Sequence, residues 1–587
     1  MSSSRWLKVP LGPHGPRWRT VAAERSVLAV AHTVTALNRL ADIIPVFDSD
    51  QRVQIVYTCP QASAVTNGVE EHLATMGALV MPWEQAIMTE FDLALSVHNS
   101  GNLHDINAPL AVLSHGIGYT KHSPRNPKPE TRNPKPETRN PKPETRNRSV
   151  YGLSREWLVR DGAVVPSAVV LSHDEQYARL ADAVPEALGS AVVAGDPCFD
   201  RMAVSEPLRR DYRSALGGND DTTVVVVSST WGPDSLLGRN PNLIAHLLAE
   251  LPGDRHVVAA VLHPNTWFAH GPAQIRVWLG DCLRAGLRLI PPAEGWQQAV
   301  LAADVVIGDF GAVTGYAACA GRATLLASFP ENQIAEGSAM GELGRTASRL
   351  DPAAAFLPQF GTALADAAAG QFTKVRELTT SLPGSSAAAL RKAFYGLLEL
   401  PEPLRAPLVP PYPTDALLPE RMPVTAWWVT ARWHSEHEAE VTRWPADVDA
   451  RDEQPPNTID RHLVVEQTHP RRDLHGNATV VVAGHLREAA EIFAARPACR
   501  LVVTGEEVVH RDKGVVTHGL SDVDTSVACA SALYAWISAG RTWEALPGNA
   551  VLRIGGRRIE VVLSRPHLPP QPASGVCPPH PSPRPPA

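Results

Sequence analysis

Short apolar runs recur along the first two-thirds of the chain, with segments of helix length between them. The first series is SVLAVA near Val27, VQIVYT near Ile55, LALSV near Leu95, LAVLSH near Val112 and AVVLSH near Val170. Runs with no polar alternation mark strands buried on both faces, as in a parallel sheet covered by helices, and 62–76 is a fitting connecting helix. This series predicts one α/β unit from about Val27 to Leu216. A second series follows with TTVVVVSS at Thr222, HVVAAVLHP at His256, LRLIPP at Leu287, DVVIGDF at Asp304 and ATLLASF at Ala323. Helical stretches at 241–251, 274–285, 296–302 and 313–320 separate them and predict a second doubly wound domain. Two such domains in succession place their carboxyl strand ends around a shared cleft, where open α/β sheets bind ligands.

The pattern changes beyond residue 400. Eight prolines fall between Pro401 and Pro423, a composition that predicts an extended spacer. Alternating residues after Val424, helical stretches near 486–495 and 526–539 and the strand-like RLVVTGE predict a small C-terminal α+β module. The expected division is 1–216, 217–400, a linker over 401–423, the module over 424–564 and a disordered Pro-rich tail over 565–587. Inside the first unit, Arg125 to Thr145 is three identical copies of RNPKPET, which carry no apolar side chain to bury. They predict a disordered solvent loop over 123–148 that tolerates growth.

The 587 residues exceed what one core serves, in line with this multidomain reading. A net charge of -7 provides no global field for nucleic acid, which is not expected as a partner. Seven scattered cysteines without a Cys-x-x-Cys pair fit a reducing cytoplasm. No run reaches the roughly 18 apolar residues of a membrane helix, and the basic, Trp-bearing N-terminus lacks a signal core. The expected location is cytoplasmic, with peripheral contact at the inner face of the membrane left open. No metal site and no cofactor is expected: WHSEHEAE at Trp433 to Glu440 lacks His-Glu-x-x-His and reads as a solvated strand face, and there is no Walker loop or Gly-x-Ser-x-Gly elbow.

Five segments fall where strand ends meet loops: SHGIGYTKH (Ser114 to His122), GDPCFDRM (Gly195 to Met202), SSTWGPDSLLG (Ser228 to Gly238), LHPNTW (Leu262 to Trp267) and the stretch from Ile307 to Pro330. Singly each is weak, since a lone histidine after a strand is more often a structural hydrogen-bonder than a base. In this order they resemble the CDP-glycerol glycerophosphotransferase family, the teichoic-acid polymerases and primases with a GT-B type fold. The residues that carry the resemblance are His115-Gly116, Gly195-Asp196-Pro197 with Asp200, Thr230-Trp231, His263-Pro264 and Asp309-Phe310-Gly311-Ala312. It covers roughly Val27 to Leu400 and does not reach the module, whose partner stays unknown.

The resemblance implies transfer of a glycerophosphoryl or glycosyl group from a nucleotide-diphosphate donor to a polyol or glycan acceptor. Such a reaction needs a base for the acceptor hydroxyl and donors for the diphosphate. His115 is the base candidate, and His263, from the opposing domain, suits a phosphate oxygen. The helix starting near Ala312 or Val313 offers unpaired N–H groups. Gly116, Asp200, Thr230, Trp231, Asp309, Gly311, Ala312, Val313 and Thr314 are the expected substrate contacts, with helix capping equally open for Asp200 and a core position for Trp231. The family's Asp-Tyr-Ser-Ser loop is Asp309-Phe310-Gly311-Ala312 here, and Thr314 is the nearest hydroxyl. The donor therefore stays open, and three alternatives remain: a nucleotide-sugar glycosyltransferase, a 2-epimerase of the UDP-N-acetylglucosamine type, or a non-catalytic scaffold that binds a nucleotide or partner.

Overall fold

Val27, Leu28, Ala29 and Val30 have no exposed surface, the burial of a strand covered on both faces. In the computed structural model, which describes residues 6–11, 15–60, 68–123, 149–448, 461–520 and 522–564, they form the first strand of a seven-stranded sheet. The three RNPKPET copies and the tail from Arg565 lie outside the described residues. The chain divides into two compact units. The first runs to Val424 and takes in Asp447 and Val448; the second holds Thr425–Ala446 and the described residues from Arg461.

The first unit contains both doubly wound halves that the apolar runs predict, the arrangement of the GT-B type fold that the resemblance implies. Its N-terminal half uses β1 (Arg25–Val30), β2 (Val53–Thr58), β3 (Val80–Met81), β4 (Leu93–Ser96) and β5 (Leu110–Val112). A small hairpin follows, β6 (Val159–Arg160) with β7 (Ala163–Val164), and then β8 (Ala168–Leu171) and β9 (Ala191–Val193) complete the sheet. The order is β3-β2-β1-β4-β5-β8-β9 and every pair is parallel. The direction of winding reverses between β1 and β4, where Val27 lies opposite both Ile55 and Leu93.

The C-terminal half repeats the plan with β10 (Thr223–Ser229), β11 (His256–Leu262), β12 (Arg288–Ile290), β13 (Val305–Gly308) and β14 (Ala323–Leu326). These lie in the order β12-β11-β10-β13-β14, with the reversal between β10 and β13. Crevices at the carboxyl ends of strands at such reversals are where ligands bind. The Ser386–Leu397 helix then returns to the N-terminal half, where Leu390, Phe394 and Tyr395 join a core with Leu37, Leu40 and Phe47. The Tyr395 hydroxyl donates to Asp50 at 2.7 Å.

The segment Pro401–Pro423 corrects the expectation of a free spacer, because it is bound along the first unit. Tyr412 is 4% exposed, and its hydroxyl donates to Asp42 at 2.9 Å. Its backbone N–H donates to Ser205, its carbonyl accepts from Tyr212, and Arg201 lies 4.1 Å from its ring centroid. Further on, Glu420 pairs its backbone with Leu289 and its carboxylate with Arg276. Proline blocks helix and ladder formation but keeps its carbonyl: Pro410 accepts from Arg201 and Pro413 from Gln298.

The second unit is a nine-stranded mixed sheet formed by β15 (Ala426–Trp433), β16 (Glu438–Pro445), β17 (His462–Glu466), β18 (Val480–Val482), β19 (Leu501–Thr504), β20 (Glu507–His510), β21 (Gly514–Thr517), β22 (Asn549–Ile554) and β23 (Arg557–Val562). The order is β21-β20-β19-β18-β17-β15-β16-β22-β23. Its two ends meet where Thr517 pairs with Ser564. The Val523–Ser538 helix is buried nearly all round, as its sequence VDTSVACASALYAWIS, with apolar or small residues at most positions, requires. WHSEHEAE spans the end of β15, an exposed turn at His434 to His437 and the start of β16, with His434 beside Glu440 at 3.1 Å. No helix among the described residues is long and apolar enough to cross a membrane.

Candidate active site

A cavity opens between the two halves of the first unit, at the strand ends beside both reversals. Its volume of about 170 Å³ is an order of magnitude above the roughly 10–15 Å³ that one water needs. His115, Gly116, Thr230, His263, Gly311, Ala312 and Val313 all line it, so the structure gathers seven of the sequence-derived candidates from four separate regions of the chain. A Cβ placed on Gly116 would lie 3.3 Å from the Ala312 Cβ, so the two halves nearly touch at this point.

Three histidines stand just past the ends of three adjacent strands: His32 after β1, His98 after β4 and His115 after β5. Their rings form a row, with centroids 5.1 Å apart for the first pair and 5.2 Å for the second. His98 Nδ1 accepts from the Ser100 backbone N–H at 3.1 Å, which places the neutral ring's proton on Nε2, 3.2 Å from the Tyr151 hydroxyl. Burial, with His98 adding to it, lowers His32 to about 3, and burial lowers His98 to about 4. His115 is held well below the usual imidazole range, by burial first and then by His98, His263, Lys121 and Arg39. It is therefore neutral at pH 7. Among the described residues its ring nitrogens have no hydrogen-bond partner, which leaves a lone pair free to accept a proton.

His263 is prepared differently. It caps the Pro264–His270 helix, and its Nδ1 accepts from Asn265 N–H at 3.0 Å. Burial, reinforced by Lys121, lowers it to about 3, so the neutral ring carries its proton on Nε2 and can donate. The Ala312–Cys319 helix has no side-chain cap at Gly311, and its first residues, Ala312 and Val313, line the cavity.

The loop that carries His115 is gripped from behind by Arg39, on the Val34–Ile43 helix. Arg39 Nε donates to the Ser114 carbonyl at 3.2 Å and Nη2 donates to the Gly116 carbonyl, on either side of His115. Its guanidinium also meets Asp196 through two contacts of 3.1 Å and donates to the Tyr316 hydroxyl at 2.9 Å. Tyr316 donates in turn to Asp196 at 2.8 Å. Asp196 lies at the crossover between the halves and caps the Pro197–Ser205 helix, accepting from Phe199 at 2.9 Å. The His115 loop, the crossover and the Ala312–Cys319 helix are thus joined at one buried point.

Four expected contacts lie elsewhere. Asp200 is turned from the cavity and accepts from the backbone N–H groups of Gly384 at 2.7 Å and Ser386 at 2.9 Å, which fixes the start of the returning helix. Trp231 is 54% exposed and does not line the cavity. Asp309 is wholly buried. One of its oxygens accepts from Thr230 and Leu236, the other from Gly311, so the carboxylate shapes two loops and does not line the cavity. Thr314 is also wholly buried, with its hydroxyl accepting from Asp309 N–H at 3.2 Å.

Sequence reasoning does not single out Arg39, His98, Tyr151 or Tyr316. A usable signal exists for His98: the apolar runs of β1, β4 and β5 each lead within three residues to a histidine. Arg39 and Tyr316 have no such signal, because their partners lie 157 and 120 positions away along the chain.

No family model and no curated protein matches the chain. Among solved structures it is similar to the wall teichoic acid polymerase TagF in a soak with CDPG, at 12% identity and a TM-score of 0.42, over 65% of this chain and 89% of that one. It is also similar to HepE of Anabaena in complex with UDP and glucose, at 12% identity and a TM-score of 0.35, over 64% and 99% of the two chains. A third is MnaA of S. aureus with UDP, at 9% identity and a TM-score of 0.38, over 65% and 100%.

Proposed function

We propose that the first unit is a transferase that moves a glycerophosphoryl or glycosyl group from a nucleotide-diphosphate donor to a hydroxyl of a polyol or glycan. The observation that carries the reading is the near contact of Gly116 with Ala312, which sets the His115 loop against the uncapped start of a helix across the cavity. A diphosphate held by the helix N–H groups is thereby within reach of a neutral, unpartnered imidazole. With Thr314 occupied and Gly311-Ala312 in place of serines, diphosphate binding at this helix relies on backbone donors.

In the step proposed, a bond forms between the acceptor oxygen and the transferred group while the bond from that group to the nucleotide phosphate breaks. The acceptor proton passes to His115, and the negative charge gathering on the leaving phosphate is met by the helix N–H groups and the Nε2–H of His263. Calorimetric titration with CDP-glycerol and with a panel of CDP- and UDP-linked donors tests the reading. His115→Ala and His263→Ala are each expected to lower turnover roughly 10²-fold or more while the folded spectrum is kept. Unchanged turnover removes that residue from the mechanism, and failure of every donor to bind overturns the reading.

A further inference from the structure

Lys121 closes the segment that begins at His115, and its backbone is fixed on two sides. The Tyr151 N–H donates to its carbonyl at 2.9 Å, and on the other side it pairs antiparallel with Ile334, flanked by His122 to Gln333 and Ala335 to Thr120, both at 2.9 Å. The side chain enters the cavity, where its ammonium lies 4.7 Å from the centroid of Phe310. Among the described residues it has no carboxylate partner. The acid whose charge acts on it, Asp309, already accepts three backbone N–H bonds. Arg39 is neutralised by Asp196, and Asp42 is met by Arg201 at 3.1 Å. His115 and His263 are neutral. Lys121 is thus a cation on the cavity wall that makes no ion pair among the described residues, since Asp309 acts on it without pairing, and a partly desolvated ammonium in that state favours an anion.

We propose that Lys121 is a binding residue for an anionic phosphate oxygen, held between His115 and His263 and belonging to the pyrophosphate group of a bound nucleotide. This assignment rests on the nucleotide-diphosphate reading above and adds the residue that supplies the charge. An ammonium is a compact point charge with three donors, suited to a phosphate oxygen reached through a narrow cleft, and the Phe310 face holds it in place until the anion arrives. Occupancy would also act on His115: negative charge beside it favours the imidazolium, so the base gains strength only when the donor is loaded.

The test uses the full chain and calorimetric titration with inorganic pyrophosphate, CDP, UDP and the bare nucleosides. Lys121→Met and Lys121→Gln are compared with the unaltered protein, with near-ultraviolet circular dichroism as the folding control. Wild type is expected to bind pyrophosphate and a nucleoside diphosphate. Both variants should bind them at least about tenfold more weakly, with nucleoside binding unchanged, and Lys121→Arg should recover part of the loss. Equal affinity for the diphosphates in folded Lys121→Gln and wild type overturns the Lys121 assignment and leaves the donor reading standing. Lys121-dependent binding of pyrophosphate without any nucleotide keeps the anion site and overturns the nucleotide source. Binding of neither by wild type overturns both.

Discussion

Lowering the pH from 7 to 5 tests the buried histidines His32, His98 and His263 without reference to any substrate. His32, His98 and His263 are held at about 3, about 4 and about 3, against 6.5 for a free imidazole. A group whose folded value lies below its unfolded value takes up protons on unfolding in the interval between them. Its stabilising contribution is complete above about 6.5 and is lost as the pH falls towards the folded value. At pH 5 the unfolded imidazole is almost fully protonated and the folded one is not, which costs about 2 kcal/mol per histidine relative to pH 7, or about 6 kcal/mol for the three. His32 is the cleanest probe, since it is fully buried and its Nε2 lies 2.9 Å from the Ser100 carbonyl, a bond that His32→Gln can replace. Calorimetric unfolding in buffers of different ionisation enthalpy should show the variant taking up about one proton fewer at pH 5. Its stability difference between pH 7 and pH 5 should shrink by about 2 kcal/mol, whatever its absolute stability. An unchanged proton uptake would refute the claim that His32 is held neutral in the folded chain.

Three further outcomes follow from the architecture. Deletion of Arg132 to Thr145 should leave melting temperature and donor affinity unchanged, because the described residues on either side of the repeat are already joined by the His122–Val150 pair, and each doubling of a loop costs only about 0.6 kcal/mol; a fall in either measurement would show the repeat to be packed structure. Tyr412→Ala should destabilise the first unit by about 3–5 kcal/mol, and limited proteolysis of the unaltered chain should spare Pro401–Pro423, so rapid cleavage within that segment would refute its description as bound structure.

The parallel strands are legible in the sequence because burial on both faces removes every polar alternation, as in Val224 to Val227. The carboxyl ends of those strands are legible for the same reason, and His115, His263 and Gly311 follow from them. What one sequence hides is the satisfaction of polar groups at a distance. Asp309 reads as a ligand until its three backbone partners are known, and Asp200 until the start of the returning helix is placed on it. Histidines after strands illustrate the same limit. Among the described residues nothing bonds the ring nitrogens of His115, whereas His173, after β8, spends Nδ1 on the Glu175 N–H at 3.0 Å. The proline-rich segment misleads because composition reports the conformation of an isolated chain, while Tyr412 and Glu420 supply the contacts that bind it down.

The Arg39–Asp196–Tyr316 junction also limits how such a chain can change over generations. Arg39 is 6% exposed and Asp196 fully buried, so losing either alone strands an ion, at a cost of roughly 3–5 kcal/mol, about half the stability of a typical domain. Joint replacement by apolar residues of matching volume carries no such cost. Descendants of this sequence should accordingly keep the pair intact or lose both members together, with Tyr316 drifting to phenylalanine only where the pair has gone. Because Arg39 also grips the backbone around His115, a lineage that has exchanged the pair would have rebuilt the support of that loop. Joint change at positions 39 and 196 would mark the branches on which the cleft has taken up different chemistry.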